Sequence, residues 1–245
     1  MAILEGLQTF YRYCRGMGWY QGLQLQLAER KGQGMLSLTI PGLKHPVLCR
    51  ANRVDRLALV EVLFEKHNVV TLSEAPQLIF DVGANVGYAA VLYANLYPEA
   101  QIIALEPAPE NYQIACENVA PYPNITLIAG ALWPLPVTLS IANREDCSWA
   151  YQMHEKAGSE SIRGWTMPEL LEQFAVERVD FLKVDIMGAE ELVFAQSATW
   201  LKAIQVALIK PHSVAARNVL CEVFDSVGFP RQKHGDKLLF RRAPV

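Results

Sequence analysis

From Pro76 onward, unbroken apolar runs alternate with segments of helical period. "QLIFDV" reads as a strand and "VGYAAVLYANLY" as a helix; "AQIIALEP" and "APENYQIACENVA" repeat the pair, and "NITLIAG" is a third strand. After a longer polar excursion (130–165) come "MPELLEQFAV", "VDFLKVDI", "GAEELVFAQSATWL", "AIQVALIKP" and "SVAARNVLCEVFDSVGF", closed by a last short strand, "DKLLFRR". Strands buried on both faces read as continuous apolar runs, and their alternation with helices predicts a doubly wound, mostly parallel α/β sheet. Such sheets bind ligands outside the carboxyl ends of their strands, so candidate chemistry is sought there.

The first 74 residues follow another pattern. Leu4, Leu7, Phe10, Tyr11 and Cys14 recur at helical spacing until Gly16 and Gly18 interrupt them. "MLSLTIPG" and "HPVLCR" flank Pro41–Gly42 as the arms of a hairpin. "NRVDRLALVEVLFEKH" then places Val54, Leu57, Leu59, Val60, Leu63 and Phe64 on one helical side. The expected organisation is an N-terminal helix, hairpin and helix appendage (1–74) followed by one main domain (75–245).

Composition narrows the function classes. Hydrophobic residues make up 51% and charged residues 19%, which suits a folded globular chain. A net charge of −3 gives no bulk attraction for nucleic acid. Cys14, Cys49, Cys116, Cys147 and Cys221 are scattered, without a CxxC pair or a histidine at ligand spacing, so neither a metal site nor a disulfide framework is expected. No apolar run approaches a membrane span, and "MAILEGLQTFYRYCRG" lacks the parts of a signal peptide. A cytoplasmic setting is the expectation.

The stretch "FDVGANVG" carries the first candidate site. Asp81, Gly83, Asn85 and Gly87 form a D-x-G-x-N-x-G turn at a strand's carboxyl end, where a helix starting near Val86 directs free N–H groups at a ligand. A dinucleotide fingerprint would need glycines where Asn85 and Tyr88 stand. The next strand ends in Glu106, an acidic group suited to the hydroxyls of a ribose. A glycine turn and a ribose carboxylate without the pyrophosphate fingerprint point to a nucleoside cofactor lacking phosphates, S-adenosylmethionine, with Asp81 neutralising its ammonium group. Taken singly, each feature also fits a tight strand–helix turn or a solvated strand end.

"FDVGANVG", "ALEPAPENY" and "VDFLKVDIMGAEELVF" resemble the motifs of the FkbM family of S-adenosylmethionine-dependent methyltransferases. "LKHPVLCRANRVDRLALVEVLFE" resembles the segment preceding the fold in that family, and "SIRGWTMPELL" its lead-in to the fourth strand, so the likeness runs from about Leu36 to about His212. The resemblance implies a seven-stranded class I methyltransferase sheet, Rossmann-like, with its last strand antiparallel. It implies methyl transfer, usually to a hydroxyl oxygen of a sugar or natural product. Asp81, Gly83, Ala84, Asn85 and Gly87 would line the methionine moiety, Glu106 and Pro107 the ribose, and Ala131 and Leu132 the adenine.

Asp185, at the fourth strand's carboxyl end, would lie near the transferred methyl group and either take the acceptor's proton or orient its hydroxyl. Lys183, two residues earlier, shares that side of the strand; it pairs with a carboxylate if it packs inward, or snorkels at the sheet's edge. His212 is an acceptor-side base or a hydrogen-bonded loop residue. Glu190 caps or pairs near its helix start. Two positions depart from the family: Met187 replaces a glutamate, and Lys210 replaces an acidic residue. Either the acceptor site is retuned, Lys210 meeting an acidic or phosphorylated group and Met187 an apolar one, or cofactor binding survives with weak activity.

Trp149, Tyr151 and Trp165 form a wall or lid over the acceptor, Trp149 foremost, or pack the excursion against the sheet. The N-terminal segment closes the pocket or makes a homodimer contact. The sequence is therefore read as an O-methyltransferase for a small hydroxylated acceptor, with no nucleic-acid, membrane or metal partner. The runner-up is a cofactor-binding, catalytically weak scaffold; a nicotinamide oxidoreductase is disfavoured by Asn85 and Tyr88.

Overall fold

Seven strands build the central sheet of the computed structural model, which describes residues 2–32, 34–141, 153–155, 161–195 and 197–243. Helices α1 (Ala2–Met17) and α2 (Trp19–Lys31) precede an antiparallel pair, β1 (Met35–Leu38) and β2 (Val47–Arg50). Helix α3 (Arg53–Ala58) starts at Asn52, whose side chain accepts from the Asp55 N–H, and runs on into a π-helical segment, Leu59–Phe64. Then follow β3 (Leu78–Val82), α4 (Tyr88–Leu96), β4 (Gln101–Glu106), α5 (Pro109–Val119) and β5 (Ile125–Ala129). Four short strands, β6 (Ala131–Leu132), β7 (Thr138–Ile141), β8 (Met153–Glu155) and β9 (Ile162–Trp165), lead to α6 (Met167–Gln173). The chain ends with β10 (Val179–Val184), α7 (Glu190–Phe194), β11 (Ile204–Ile209), α8 (Val214–Ser226), β12 (Arg231–His234) and β13 (Lys237–Arg241).

The strand order is β12-β13-β11-β10-β3-β4-β5, parallel except for β13, which runs antiparallel to both neighbours. The chain winds outward from β3 to β5 and returns to β10 on the other side of β3. That reversal leaves a crevice at the carboxyl ends of β3 and β10, the switch point of a doubly wound sheet. This is a doubly wound, Rossmann-like sheet, with the antiparallel strand that the resemblance implies.

Period-two alternation is hidden within the apolar strands. Ile79, Ile102, Ala104 and Phe181 point into one hydrophobic cluster, while Phe80, Val82, Ile103, Leu105, Leu182 and Val184 point into the other. The first cluster is completed by the N-terminal residues. Tyr13, Leu25, Val47, Leu59 and Leu63 pack with α4 residues such as Tyr88 and Tyr93, and each fully buried leucine stabilises the layer by about 1.5–3 kcal/mol. Tyr88 and Tyr93 donate their hydroxyls to the carbonyls of Leu48 and Asn68. The N-terminal segment thus packs, through residues such as Tyr13, Leu25, Val47, Leu59 and Leu63, against one face of the sheet and shares its core.

Two segments differ from the sequence reading. The excursion after β5 contains a small sheet of order β6-β9-β7-β8. Trp165 is buried there in the second cluster, with the Arg163 guanidinium 3.4 Å over its ring. Trp149 and Tyr151 lie outside the described residues. Strand β12, "RQKH", is an exposed edge without an apolar run; Gly235 (φ 63°) turns it back into β13. Among the described residues no helix is long and apolar enough to cross a membrane.

Candidate functional site

The carboxyl ends of β3, β4 and β10 open onto a cavity of about 490 Å³. Its first wall is the turn after β3. The N–H groups of Gly83 and Ala84 both donate to the Leu105 carbonyl, at 3.0 and 2.8 Å, which ties the turn to β4. Gly83 has φ 79°, and a Cβ there would lie 1.9 Å from the Asp185 carbonyl oxygen. Glycine is required by the close passage of the neighbouring chain. Gly87 (φ 84°) faces Val119 and Ala115 of α5 instead. The cavity is lined by Gly83, Ala84 and Asn85 but not by Gly87, which lets α4 and α5 approach. Of the two glycines expected to line the methionine moiety, Gly83 borders the cavity and Gly87 does not.

Asp81 is also set back from the cavity. It is fully buried, and Lys183 Nζ lies 2.8 Å from its Oδ1 while donating to the Gly83 carbonyl at 2.6 Å. Burial alone would lower the lysine's pKa; the carboxylates of Asp81 and Asp185 outweigh it and hold the ammonium above its ordinary value. Lys183 is therefore a charged tie beneath the turn. Asp81 faces that lysine and does not line the cavity, so it makes an internal salt link where direct or water-mediated neutralisation of a ligand ammonium was expected.

Glu106 ends β4 at the second wall. Its Oε2 accepts from the Asn85 N–H at 2.7 Å, and its Oε1 from the Ala108 N–H at 3.0 Å and Asn111 Nδ2 at 3.4 Å. Burial pushes its pKa up to about 7 against the pull of these donors. Oε2, with one donor, keeps a second lone-pair direction, so the group can still receive a hydroxyl donor from the cavity. Asn85, held in the left-handed region at φ 53°, has a buried Oδ1 with no hydrogen-bond partner among the described residues. Pro107 and Ala108 continue this wall, and buried Ala131 and Leu132 of β6 form the next. Trp133, absent from the sequence reading, lines the cavity beside them.

The third wall carries the second cluster of chemistry. Asp185 follows β10, its N–H donating to the Val82 carbonyl. His212 Nε2 lies 3.2 Å from Asp185 Oδ1, and His212 Nδ1 lies 2.7 Å from Oε1 of Glu190. Glu190 is fully buried and accepts from the Gly188 N–H, so it caps the turn before α7 and also pairs with the histidine. Burial works against charge on the ring, but the two carboxylates raise His212 to about 9. Burial likewise works against the Asp185 carboxylate, while His212, Lys183 and Lys210 bring it down to about 2. His212 does not line the cavity. Its two nitrogens face the two carboxylates and not the cavity, a placement that suits a partner of Asp185 better than an acceptor-side base.

Met187, in the left-handed region at φ 52°, lines the cavity next to Asp185. Lys210 lines it too, with Nζ 3.2 Å from Asp236 Oδ2 on the turn between β12 and β13. From that turn Lys237, buried at 2% exposure, reaches Glu61 Oε1 of the π-helical segment at 2.6 Å. The far wall is completed by Val54, Leu57, Ala58 and Glu61. The sequence allowed the N-terminal segment to close the pocket but marked none of these residues, because the wall joins segments far apart in the chain. Trp149 lies outside the described residues. Among the described residues no group of three or more His, Cys, Asp or Glu side chains is arranged to hold a metal ion.

Methyltransferase sdnD of Sordaria araneosa is 25% identical over 232 residues, covering 76% of this chain and 85% of the relative. The crystal structure of methyltransferase FkbM from Methylobacillus flagellatus superposes with a TM-score of 0.52 over 74% of this chain, at 14% identity, and so shares its fold. The present chain spans about half of that protein, 47%. Residues 81–236, from the buried Asp81 to Asp236 at the far wall, match the Methyltransferase FkbM domain, and the chain belongs to that family of methyltransferases.

Proposed function

We propose that the protein transfers the methyl group of S-adenosylmethionine to a hydroxyl oxygen of a small acceptor. The observation that carries this reading is a single cavity with a ribose-type carboxylate, Glu106, on one wall and an ionised carboxylate, Asp185, on another. The residues present suit the cofactor. Glu106 has acceptor capacity for the ribose hydroxyls, the unpartnered Asn85 Oδ1 suits a cationic or N–H donor, and Ala131 and Leu132 supply an apolar seat for adenine. When bound, S-adenosylmethionine supplies an electrophilic methyl group on a sulfonium centre.

Asp185 is too acidic to act as a strong base, and its part is positional and electrostatic. It accepts the acceptor's O–H, fixes the direction of the oxygen lone pair, and stabilises the positive charge that builds on that oxygen during methylation. The proton then passes from that oxygen, made strongly acidic by methylation, along its hydrogen bond to the Asp185 carboxylate and on to water. His212 and Glu190 keep the carboxylate ionised and aimed. Lys210 is already matched by Asp236 and Glu61 by Lys237, so the acceptor wall is apolar along Met187, Val54 and Leu57 beside two neutralised polar pairs. That lining fits an uncharged hydroxylated compound with an apolar part better than the acidic acceptor first considered.

Titration calorimetry with S-adenosylmethionine and S-adenosylhomocysteine, with NADH as control, tests the cofactor. Both sulfur compounds are expected to bind and NADH is not, and Glu106→Ala should weaken binding by roughly ten- to a hundredfold through loss of charged hydrogen bonds. Unchanged affinity in Glu106→Ala would refute the ribose assignment. A panel of hydroxylated acceptors, read by S-adenosylhomocysteine release, then separates an enzyme from a scaffold. Binding without release across that panel would favour the scaffold reading that Met187 and Lys210 first suggested.

A further inference from the structure

The carboxylate at the end of β4 is connected to the N-terminal segment by a chain of oriented hydrogen bonds. Arg50, the last residue of β2, donates from Nη2 to Asn111 Oδ1 at 2.8 Å. The same guanidinium grips Asp55 of α3, with Nε to Oδ2 at 2.8 Å and Nη2 to Oδ1 at 2.7 Å. Asp55 is fully buried and also accepts from the Arg50 backbone N–H at 3.1 Å. Asn111, on the first turns of α5, completes the path by donating from Nδ2 to Glu106 Oε1. Strand β2 is itself fixed: the Leu48 N–H donates to Asn118 Oδ1 at 2.6 Å, and the Leu48 carbonyl receives the Tyr88 hydroxyl.

The direction of this chain matters. A side-chain amide can turn end for end, exchanging its oxygen for its NH₂ group at little internal cost, so its neighbours decide which way it points. Beside Glu106 the reversed amide would set an oxygen against a carboxylate. A guanidinium has donors only, so Arg50 requires the amide oxygen on its own side and thereby sends the NH₂ group to Glu106. Asp55 in turn holds the guanidinium in plane through a bidentate pair.

We propose that Arg50 is a positioning residue for the cofactor, orienting Asn111 so that Glu106 is held ready for the ribose hydroxyls. The N-terminal segment then contributes to the cofactor site without touching the cofactor. Asp55 acts one step further back, as the partner that keeps Arg50 in place. This assignment rests on the reading of Glu106 as the ribose carboxylate.

The test is a double-mutant cycle on S-adenosylhomocysteine affinity, using the full chain and calorimetry. Arg50→Lys keeps a cation for Asp55 but loses the planar fork, and Arg50→Ala removes both. Each is expected to weaken S-adenosylhomocysteine binding about three- to tenfold in the parent, the scale of one hydrogen bond. In a Glu106→Ala background the same changes should cost less than about twofold, because the group they act through is gone. Should Arg50→Ala fail to fold, Arg50→Lys alone completes the cycle. Equal losses in both backgrounds would show a general structural effect and overturn the proposal, as would no loss in the parent. If S-adenosylhomocysteine did not bind the parent protein at all, the cofactor reading itself would fall, and the role of Arg50 with it.

Discussion

Lys183 stands directly opposite Asp81 in the paired strands β10 and β3, and its ammonium lies 2.8 Å from the Asp81 carboxylate with both side chains almost wholly buried. A buried pair of this kind is balanced rather than strongly stabilising, but removal of one partner strands the other in a low-dielectric interior. Lys183→Met should therefore lower unfolding free energy by about 3–5 kcal/mol. The double variant Asp81→Asn/Lys183→Met should recover most of that loss, since it leaves no buried charge alone. Urea denaturation of the three proteins checks both expectations, and a Lys183→Met protein as stable as its parent would show that the pair is dispensable.

The two glycines of the β3–α4 turn should respond differently to alanine. At Gly83 a Cβ meets the Asp185 backbone oxygen at 1.9 Å, and backbone cannot rotate away as a side chain can. At Gly87 the nearest atom is Val119 Cγ1 at 3.2 Å, the flexible end of a side chain, although φ 84° still strains any L residue. Gly87→Ala should cost roughly 1–2 kcal/mol from the left-handed backbone. Gly83→Ala adds a clash with the strand that carries Asp185, so it should cost more than about 4 kcal/mol or prevent folding. Thermal melting of the two variants separates them; equal midpoints would mean that the close approach of β3 and β10 is not rigid.

How far the sequence speaks depends on the range over which each cause acts. The inner strands were legible because burial on both faces makes "QLIFDV" and "VDFLKVDI" uniformly apolar, and the cause lies within the segment itself. Strand β12 was not, because "RQKH" at an exposed edge owes its conformation to the Gly235 turn and to β13. Glu106 could be singled out, since its strand end and the preceding glycine turn are close in sequence. The partnership of Lys183 with Asp81 needed the strand order, which sets two distant segments in register. Arg50 is 61 residues from Asn111, and no local pattern around either announces the other. His212 is legible as a titratable group near the right strand end, but the carboxylates facing its two nitrogens come from a segment more than twenty residues away.

That histidine gives the protein a definite response to alkali. Its folded pKa, about 9, stands above the ordinary 6.5, so the stability it contributes is complete below pH 6.5 and is lost as pH rises through 9. The groups facing it leave this window clear. Asp185, depressed to about 2, loses its contribution only on acidification below its ordinary 3.8. Lys210 and Lys183 are raised from an ordinary value of 10.5 and titrate above the window. Glu106, raised to about 7, acts between its ordinary 4.5 and that value. Between pH 7 and pH 9.5 the parent should therefore lose stability on the order of 1–3 kcal/mol that His212→Gln does not lose. The variant should be the less stable protein at pH 7, with the difference narrowing toward pH 9.5. Thermal midpoints at half-unit intervals, compared with the same series for Glu190→Gln, decide the matter. Parallel curves for parent and His212→Gln would mean that the ring is neutral in the fold, and that Asp185 is kept ionised by the two lysines alone.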